Sequence, residues 1–272
     1  MPARSHFADA TNDGQGTKSR VPAISRAAAV VELIIAEGPQ RLSELARRLG
    51  VPKSSMSNLC MTMAEVGWLR RASDRFALGP RLMQYGKAYF GALDPVKEFQ
   101  QVCDEYPGGL IHTTQLAMLG TKGTVIYLAR RQGRRGVTVA SEIGQPTPAN
   151  CTGAGKALLA SLPDYLLAEH LTDPLPTLTP HSISDPQQLL KELEHIRQQG
   201  YAIDDEETLE GVCCVARALP VVDSTQRQVA VSVTVLKAHL KGGEEQVVHR
   251  QLETIYRSLS ARLGRSEELL PG

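Results

Sequence analysis

Between residues 24 and 35, apolar side chains recur at Ile24, Ala27, Ala28, Val31, Ile34 and Ile35, the spacing of a helix with one face on a core. The run ends at Gly38-Pro39, a pair that halts helices. A second helix is predicted in "RLSELARRLG" (41–50), and the short link "GVP" leads into a third, "KSSMSNLCMTMAEVGW" (53–68). On the third helix Met56, Leu59, Cys60 and Met63 form the inward stripe. Lys53, Ser54, Ser55, Ser57 and Asn58 are left near its exposed N-terminal end. "WLRRASDRFALG" (68–79) then reads as two short strands around Ser73-Asp74. Two helices joined by a tight Gly-containing turn, followed by a hairpin, predict a winged helix-turn-helix over 22–80.

Residues 81–94 predict a linker helix whose apolar positions, Leu82, Met83, Tyr85, Tyr89, Phe90 and Leu93, are too many for so small a neighbour. A second copy of the chain is the expected cover, because two half-sites double the contacts of a groove-reading domain. From 95 the pattern changes. A helix over 95–106 ends at Pro107-Gly108-Gly109, and two β-rich runs flank the turn "GTKG" (120–123). "VTVASEIG" (137–144) predicts a third strand. Helices follow at 150–162 and near 163–171, and an amphipathic one spans 186–199, capped by Gly200. "YAIDDEE", "GVCCVARALPVVD" and "QVAVSVTVL" supply further strands, and a last helix covers 243–263. Hairpins with helices clustered between them predict an α+β domain with a mainly antiparallel sheet over 95–264. Residues 1–21 read as a polar disordered tail and 265–272 as a flexible end.

A net charge of +1 conceals a division. Residues 22–92 hold ten Lys/Arg against five Asp/Glu, whereas 93–272 hold seventeen against twenty-two. A basic domain is joined to an acidic one, so a polyanion partner, double-stranded DNA, is expected for the first only. Lys53 and the wing arginines Arg70, Arg71 and Arg75 can reach phosphates. Ser54, Ser55, Ser57 and Asn58 are short enough to enter the major groove, where Asn pairs with adenine. No apolar run approaches the ~18 residues of a membrane span. With five cysteines and no secretory signature, reduced thiols in the cytoplasm are the expectation.

The stretch "NCTGAGKALLASL" (150–162) has the look of a phosphate loop. Taking Gly155-Lys156 as the Gly-Lys pair, that motif needs glycine at Asn150 and a hydroxyl at Ala157. Both requirements fail, and Leu158 stands where a dinucleotide fingerprint wants Gly or Ala. What remains is a tight turn opening a helix, whose first N–H groups lack intrahelical partners and favour an anion.

In order, "LSELARRLGVPKSS", "GWLRR…FALG", "NCTGAGKALLA", "GYAIDDEE" and "GVCCVARALPV" resemble the isocitrate lyase regulator (IclR) family over roughly residues 22–264. The resemblance implies a bacterial transcription regulator, acting as repressor or activator, with a C-terminal GAF-like domain that binds a small metabolite. It also implies dimers or dimers of dimers; no cofactor is expected, and no His/Cys spacing resembles a zinc site. Carried over, it places the effector between Gly153-Ala154, Asp204, Cys214, Ser232 and Thr234, with Val137 and Val139 as apolar wall. Ser232 and Thr234, two apart on a strand, share a face. The family often has His at position 150 and His-Arg at 57–58, where this chain has Asn150 and Ser57-Asn58.

Three other readings exist. Cys151 at a helix N-terminus is a candidate nucleophile. The run Asp204-Asp205-Glu206-Glu207 offers paired carboxylates or metal ligands. A winged helix with a GAF-like domain can also be an interaction module that binds no ligand.

Overall fold

Residue 27, 30 and 34 side chains of the first helix close over a small core, and the wing folds back beneath them. The structure is a computed structural model that describes residues 21–90, 94–137, 142–221, 227–240 and 242–265. The chain divides into two units, 1–91 and 92–272.

In the first unit, α1 (Pro22–Glu37) opens with proline, whose missing N–H costs nothing at that position. It buries Ala27, Val30 and Ile34. The expected inward stripe was out of phase: Ile24 and Ile35 are 65% and 50% exposed, Ala28 is exposed and Val31 half-buried. Ile24, Ala28, Val31 and Ile35 therefore make a second apolar stripe beside the first. Helices α2 (Leu42–Arg48) and α3 (Lys53–Glu65) are joined at Gly50, whose φ of +62° suits glycine. Met56, Cys60 and Met63 seat α3 on the core, with Leu59 half-buried. The wing strands β2 (Leu69–Ala72) and β3 (Arg75–Leu78) gain a partner absent from the sequence reading, the two-residue β1 (Gln40–Arg41). Helix α4 (Arg81–Phe90) follows, with Met83 81% and Tyr85 46% exposed. Leu82 is half-buried, while Leu93 and the side chains of Tyr89 and Phe90 lie outside the described residues.

The second unit holds α5 (Pro95–Asp104), β4 (Thr113–Leu119), β5 (Thr124–Arg131), β6 (Pro146–Pro148), α6 (Gly153–Ala160) and the one-turn α7 (Asp164–Leu167). They are followed by α8 (Pro186–Gln199), β7 (Ala202–Asp205), β8 (Val212–Ala218), β9 (Val229–Leu236) and α9 (Glu244–Arg262). Asp185 caps α8 by accepting from the N–H groups of Gln187 and Gln188, and Gly200 ends it at φ +83°. The six strands form one sheet in the order β6-β5-β4-β9-β8-β7, every neighbour antiparallel. The strand expected at 137–144 is corrected: residues 138–141 lie outside the described residues, 142–145 form no strand, and the partner of β5 is Pro146–Pro148.

Alternation along β9 divides the core. Val229, Val231, Val233 and Val235 face a layer built with Phe99, Leu252, Ile255 and Leu259 of α5 and α9. Ala230 faces the opposite layer, with Ala154, Leu158 and Leu159 of α6 and Leu189 and Leu193 of α8. The next two residues on that second face are Ser232 and Thr234, where the apolar layer gives way to polar side chains.

Candidate functional site

Antiparallel register lines those polar residues up across the sheet, because directly paired residues share a face. Thr113 pairs with Thr234, Thr234 with Cys214, and Cys214 with Asp204, which makes one polar row spanning β4, β9, β8 and β7. One step along, Arg130 pairs with Gln115 and Gln115 with Ser232, before the row turns apolar at Ala216 and Ala202. Thr113, Gln115, Asp204, Cys214, Ser232 and Thr234 are each 0–5% exposed. Thr234 Oγ1 donates to Gln115 Oε1 at 3.3 Å. Among the described residues Ser232 Oγ has no oxygen or nitrogen hydrogen-bond partner and lies beside the Cys214 thiol.

Over this end of the sheet stands the N-terminus of α6. Thr152 caps the helix by accepting from the N–H of Gly155 at 2.9 Å, which leaves the N–H groups of Gly153 and Ala154 without an intrahelical acceptor. A side chain at Gly153 would come within 3.3 Å of the Cys214 carbonyl oxygen, so this helix end sits against β8. The Thr113 hydroxyl donates to the Val137 carbonyl, placing Val137 beside the same row. Val139 lies outside the described residues. The structure thus gathers Gly153, Ala154, Asp204, Cys214, Ser232, Thr234 and Val137. It adds Thr113, Gln115 and Arg130, which the sequence reading missed. Thr113 and Gln115 alternate in "IHTTQ" (111–115), but only the pairing of β4 with β9 and β5 brings them and Arg130 into these rows.

The carboxylates of 204–207 do not act together. Asp204 accepts from the N–H groups of Glu207 and Thr208 and from the Thr208 hydroxyl. Asp205 and Glu206 turn to Lys237. Glu207 forms a buried ion pair with Lys156 of α6. Among the described residues no group of His, Cys, Asp and Glu could hold a metal ion. Burial raises the Asp204 and Glu207 carboxyls above their ordinary values. The Cys214 thiol is pushed up to about 12, by burial first and then by the charge of Asp204. Burial likewise raises Cys151, whose Sγ lies 3.3 Å from the Pro176 carbonyl oxygen. A fully buried thiol with a raised pKa lacks the thiolate character a nucleophile needs, contrary to what its place before a helix suggested.

On the first unit, Lys53, Ser54, Ser55 and Asn58 are exposed on α3, and Ser57 is half-buried on its flank. Met61, missed from sequence, is 43% exposed one turn beyond Asn58 on the same stripe as Ser54. An exposed methionine there offers an apolar surface to a thymine methyl group. Arg70 and Arg71 on β2 are exposed. Arg75 departs from the expected free phosphate contact. It donates to the Pro39 carbonyl at 3.0 Å and lies 3.7 Å from Glu44, and Arg41 pairs with Asp74 at 2.6 Å. These contacts pin the wing to the β1–α2 segment.

A helix-turn-helix with a basic wing, joined to a separate α+β domain, defines a DNA-binding transcriptional regulator. Family comparison agrees and is more specific. Residues 23–73 match the IclR helix-turn-helix domain, and residues 88–261 match the bacterial transcriptional regulator IclR C-terminal domain. The chain belongs to the IclR family. The HTH-type transcriptional regulator Rv1719 of Mycobacterium tuberculosis is 32% identical over 86% of this chain and 90% of its own length. XynR of Escherichia coli is 27% identical over 90% and 98%. Among solved structures, an IclR homolog from Microbacterium hydrocarbonoxydans, complexed with 4-hydroxybenzoate, has the same fold. It is 20% identical, covers 88% of this chain and 99% of its own, and has a TM-score of 0.68. No helix among the described residues is long and apolar enough to cross a membrane.

Proposed function

We propose that this regulator binds a two-fold DNA operator as a homodimer, or a dimer of dimers, and that a small organic acid bound on the polar rows of the C-terminal sheet sets its operator affinity. The observation that carries this reading is Ser232 Oγ, fully buried and, among the described residues, with no oxygen or nitrogen partner, only the Cys214 thiol beside it. An unpaired buried hydroxyl is costly and calls for a ligand or a water. Beside it stand the Thr234 hydroxyl, the Gln115 amide and the unused N–H groups of Gly153 and Ala154, a donor set suited to a carboxylate. Val137 supports the ligand body. The Microbacterium relative is complexed with 4-hydroxybenzoate, a small carboxylate.

Asp204 serves this site indirectly, holding the turn after β7 in place under α6. On the DNA side, Lys53, Arg70 and Arg71 supply phosphate contacts, and Ser54, Ser55, Asn58 and Met61 read bases. The exposed stripes of α1 and α4, with Ile24, Ile35, Met83 and Tyr85, supply apolar surface for a second copy.

Fluorescence anisotropy on the DNA upstream of the protein's own gene, against scrambled DNA across a salt series, tests the reading. Specific binding is expected to persist near physiological salt. Titration with 4-hydroxybenzoate and a panel of aliphatic and sugar acids should change operator affinity about 5–150-fold for at least one. Equal operator affinity with every acid, at every salt concentration, would leave an interaction module without a ligand.

A further inference from the structure

A second cleft opens beside the C-terminal half of α6 and shares no residue with the polar rows. It has a volume of about 90 Å³, several times what one ordered water needs. Its floor is Leu159 of α6, Leu189 of α8 and, from the loop between α7 and α8, Leu175, each no more than 5% exposed. Its polar side chains are the buried Asn150, the half-buried His170, the exposed Lys122, and Thr124 and Thr172.

The hydrogen bonds around the cleft fix what those groups present. Asn150 is 3% exposed, and its amide nitrogen donates to the carbonyl oxygens of Pro176 at 2.8 Å and Ile183 at 2.9 Å. Both amide hydrogens are used, so Oδ1 is left as an acceptor, and among the described residues nothing donates to it. His170 Nδ1 accepts from the N–H of Gly123 at 3.2 Å, which puts the ring proton on Nε2 as a donor. One fixed acceptor and one fixed donor above three leucines match a group that both donates and accepts on a small apolar body.

We propose that this cleft binds a small neutral hydroxyl compound, a phenol or short-chain alcohol, as a site separate from the organic-acid site. The hydroxyl donates to Asn150 Oδ1 and accepts from His170 Nε2–H, while the hydrocarbon covers Leu159, Leu175 and Leu189. A carboxylate is disfavoured, because a buried carbonyl acceptor repels it and has no proton to receive from it. An amide locked by two carbonyls presents only an acceptor there.

Isothermal titration of the full-length protein with phenol, toluene and benzoate tests this. Phenol is expected to bind saturably with a Kd on the order of 1 mM, a fitting value for so few atoms. Toluene, which lacks the hydroxyl, should bind at least about tenfold more weakly, the equivalent of one lost hydrogen bond. Leu159→Phe fills the floor and should abolish phenol binding. His170→Ala, at a half-exposed position, should weaken it about tenfold and leaves the floor intact should Leu159→Phe fail to fold. Retained phenol binding in both variants would overturn the proposal, as would benzoate displacing phenol here. Loss of phenol binding in Ser232→Ala with no loss in His170→Ala would equally overturn it, by assigning phenol to the other site. A negative result here leaves the operator response to organic acids untouched.

Discussion

Asp204 and Thr208 are locked together across the turn after β7. The Thr208 N–H reaches Asp204 Oδ1 at 3.2 Å, and the Thr208 hydroxyl lies 2.7 Å from Oδ2. The same hydroxyl is 2.6 Å from the Cys151 carbonyl oxygen, just before α6. One side chain thus ties the β7–β8 turn to the start of the helix that covers the polar rows. The Thr208 hydroxyl has one proton, which it can give to Asp204 Oδ2 or to the Cys151 carbonyl oxygen but not to both at once.

That arrangement makes stability depend on pH in a stated direction. Burial holds the folded Asp204 pKa above its unfolded value, with Thr208, Glu207 and Lys156 pulling partly back, and Glu207 is raised as well. The native state therefore binds more protons than the unfolded chain. This stabilisation is fully present below the unfolded value, about 4, and is lost as pH rises through the folded one. Asp204→Asn needs no titrating proton and should flatten the fall of the melting temperature as pH rises above about 4. An unchanged melting profile would exclude Asp204 as its source.

Lys156 is 1% exposed and its partner Glu207 is 7% exposed. Lys156→Met leaves a buried carboxylate without its cation and should cost about 3–5 kcal/mol in urea unfolding. The double variant Lys156→Met, Glu207→Leu should recover much of that. If it recovers none, the pair is not the reason the single variant is weak.

Ser232→Ala separates stability from function. Removing a buried hydroxyl that has no oxygen or nitrogen partner among the described residues should leave the melting temperature unchanged or raise it. The operator response to organic acids should fall at least tenfold, about 1.4 kcal/mol, while unliganded DNA binding persists. A large drop in melting temperature would show a structural role instead.

The two glycines of "TGAGK" differ. A methyl group at Gly155 would lie 2.3 Å from the Ala149 carbonyl oxygen, against backbone that cannot yield. Gly155→Ala should cost about 1–3 kcal/mol by overpacking. At Gly153 the nearest atom is 3.3 Å away, so Gly153→Ala should fold and lose affinity for effector first. Thermal melting of both variants checks the order.

Arg70→Ala and Arg71→Ala should each weaken all DNA sequences alike and lower the salt slope by about one. Arg75→Ala should reduce the melting temperature of the first unit with little change in slope, since its guanidinium is held by Pro39 and Glu44. Met61→Ala should alter preference at a single base position. A uniform loss across sequences would contradict that role.

The helix-turn-helix, the hairpin around "GTKG", the cap at Gly200 and the last helix were legible in the chain, because spacing, turn residues and breakers act within a few neighbours. The phase of α1 was not: a helix with apolar residues at 24, 27, 28, 30, 31, 34 and 35 carries two stripes, and only contact with α3 and the wing decides which is buried. Charge division located the DNA-facing unit, yet it could not separate Arg70 and Arg71 from Arg75, whose partners stand more than thirty residues away. The candidate effector site shows the same divide. Alternation along β9 puts Ser232 and Thr234 on one face from sequence alone. Thr113, Gln115, Cys214 and Asp204 join them only through antiparallel register between strands far apart in the chain, and register is a property of the folded sheet.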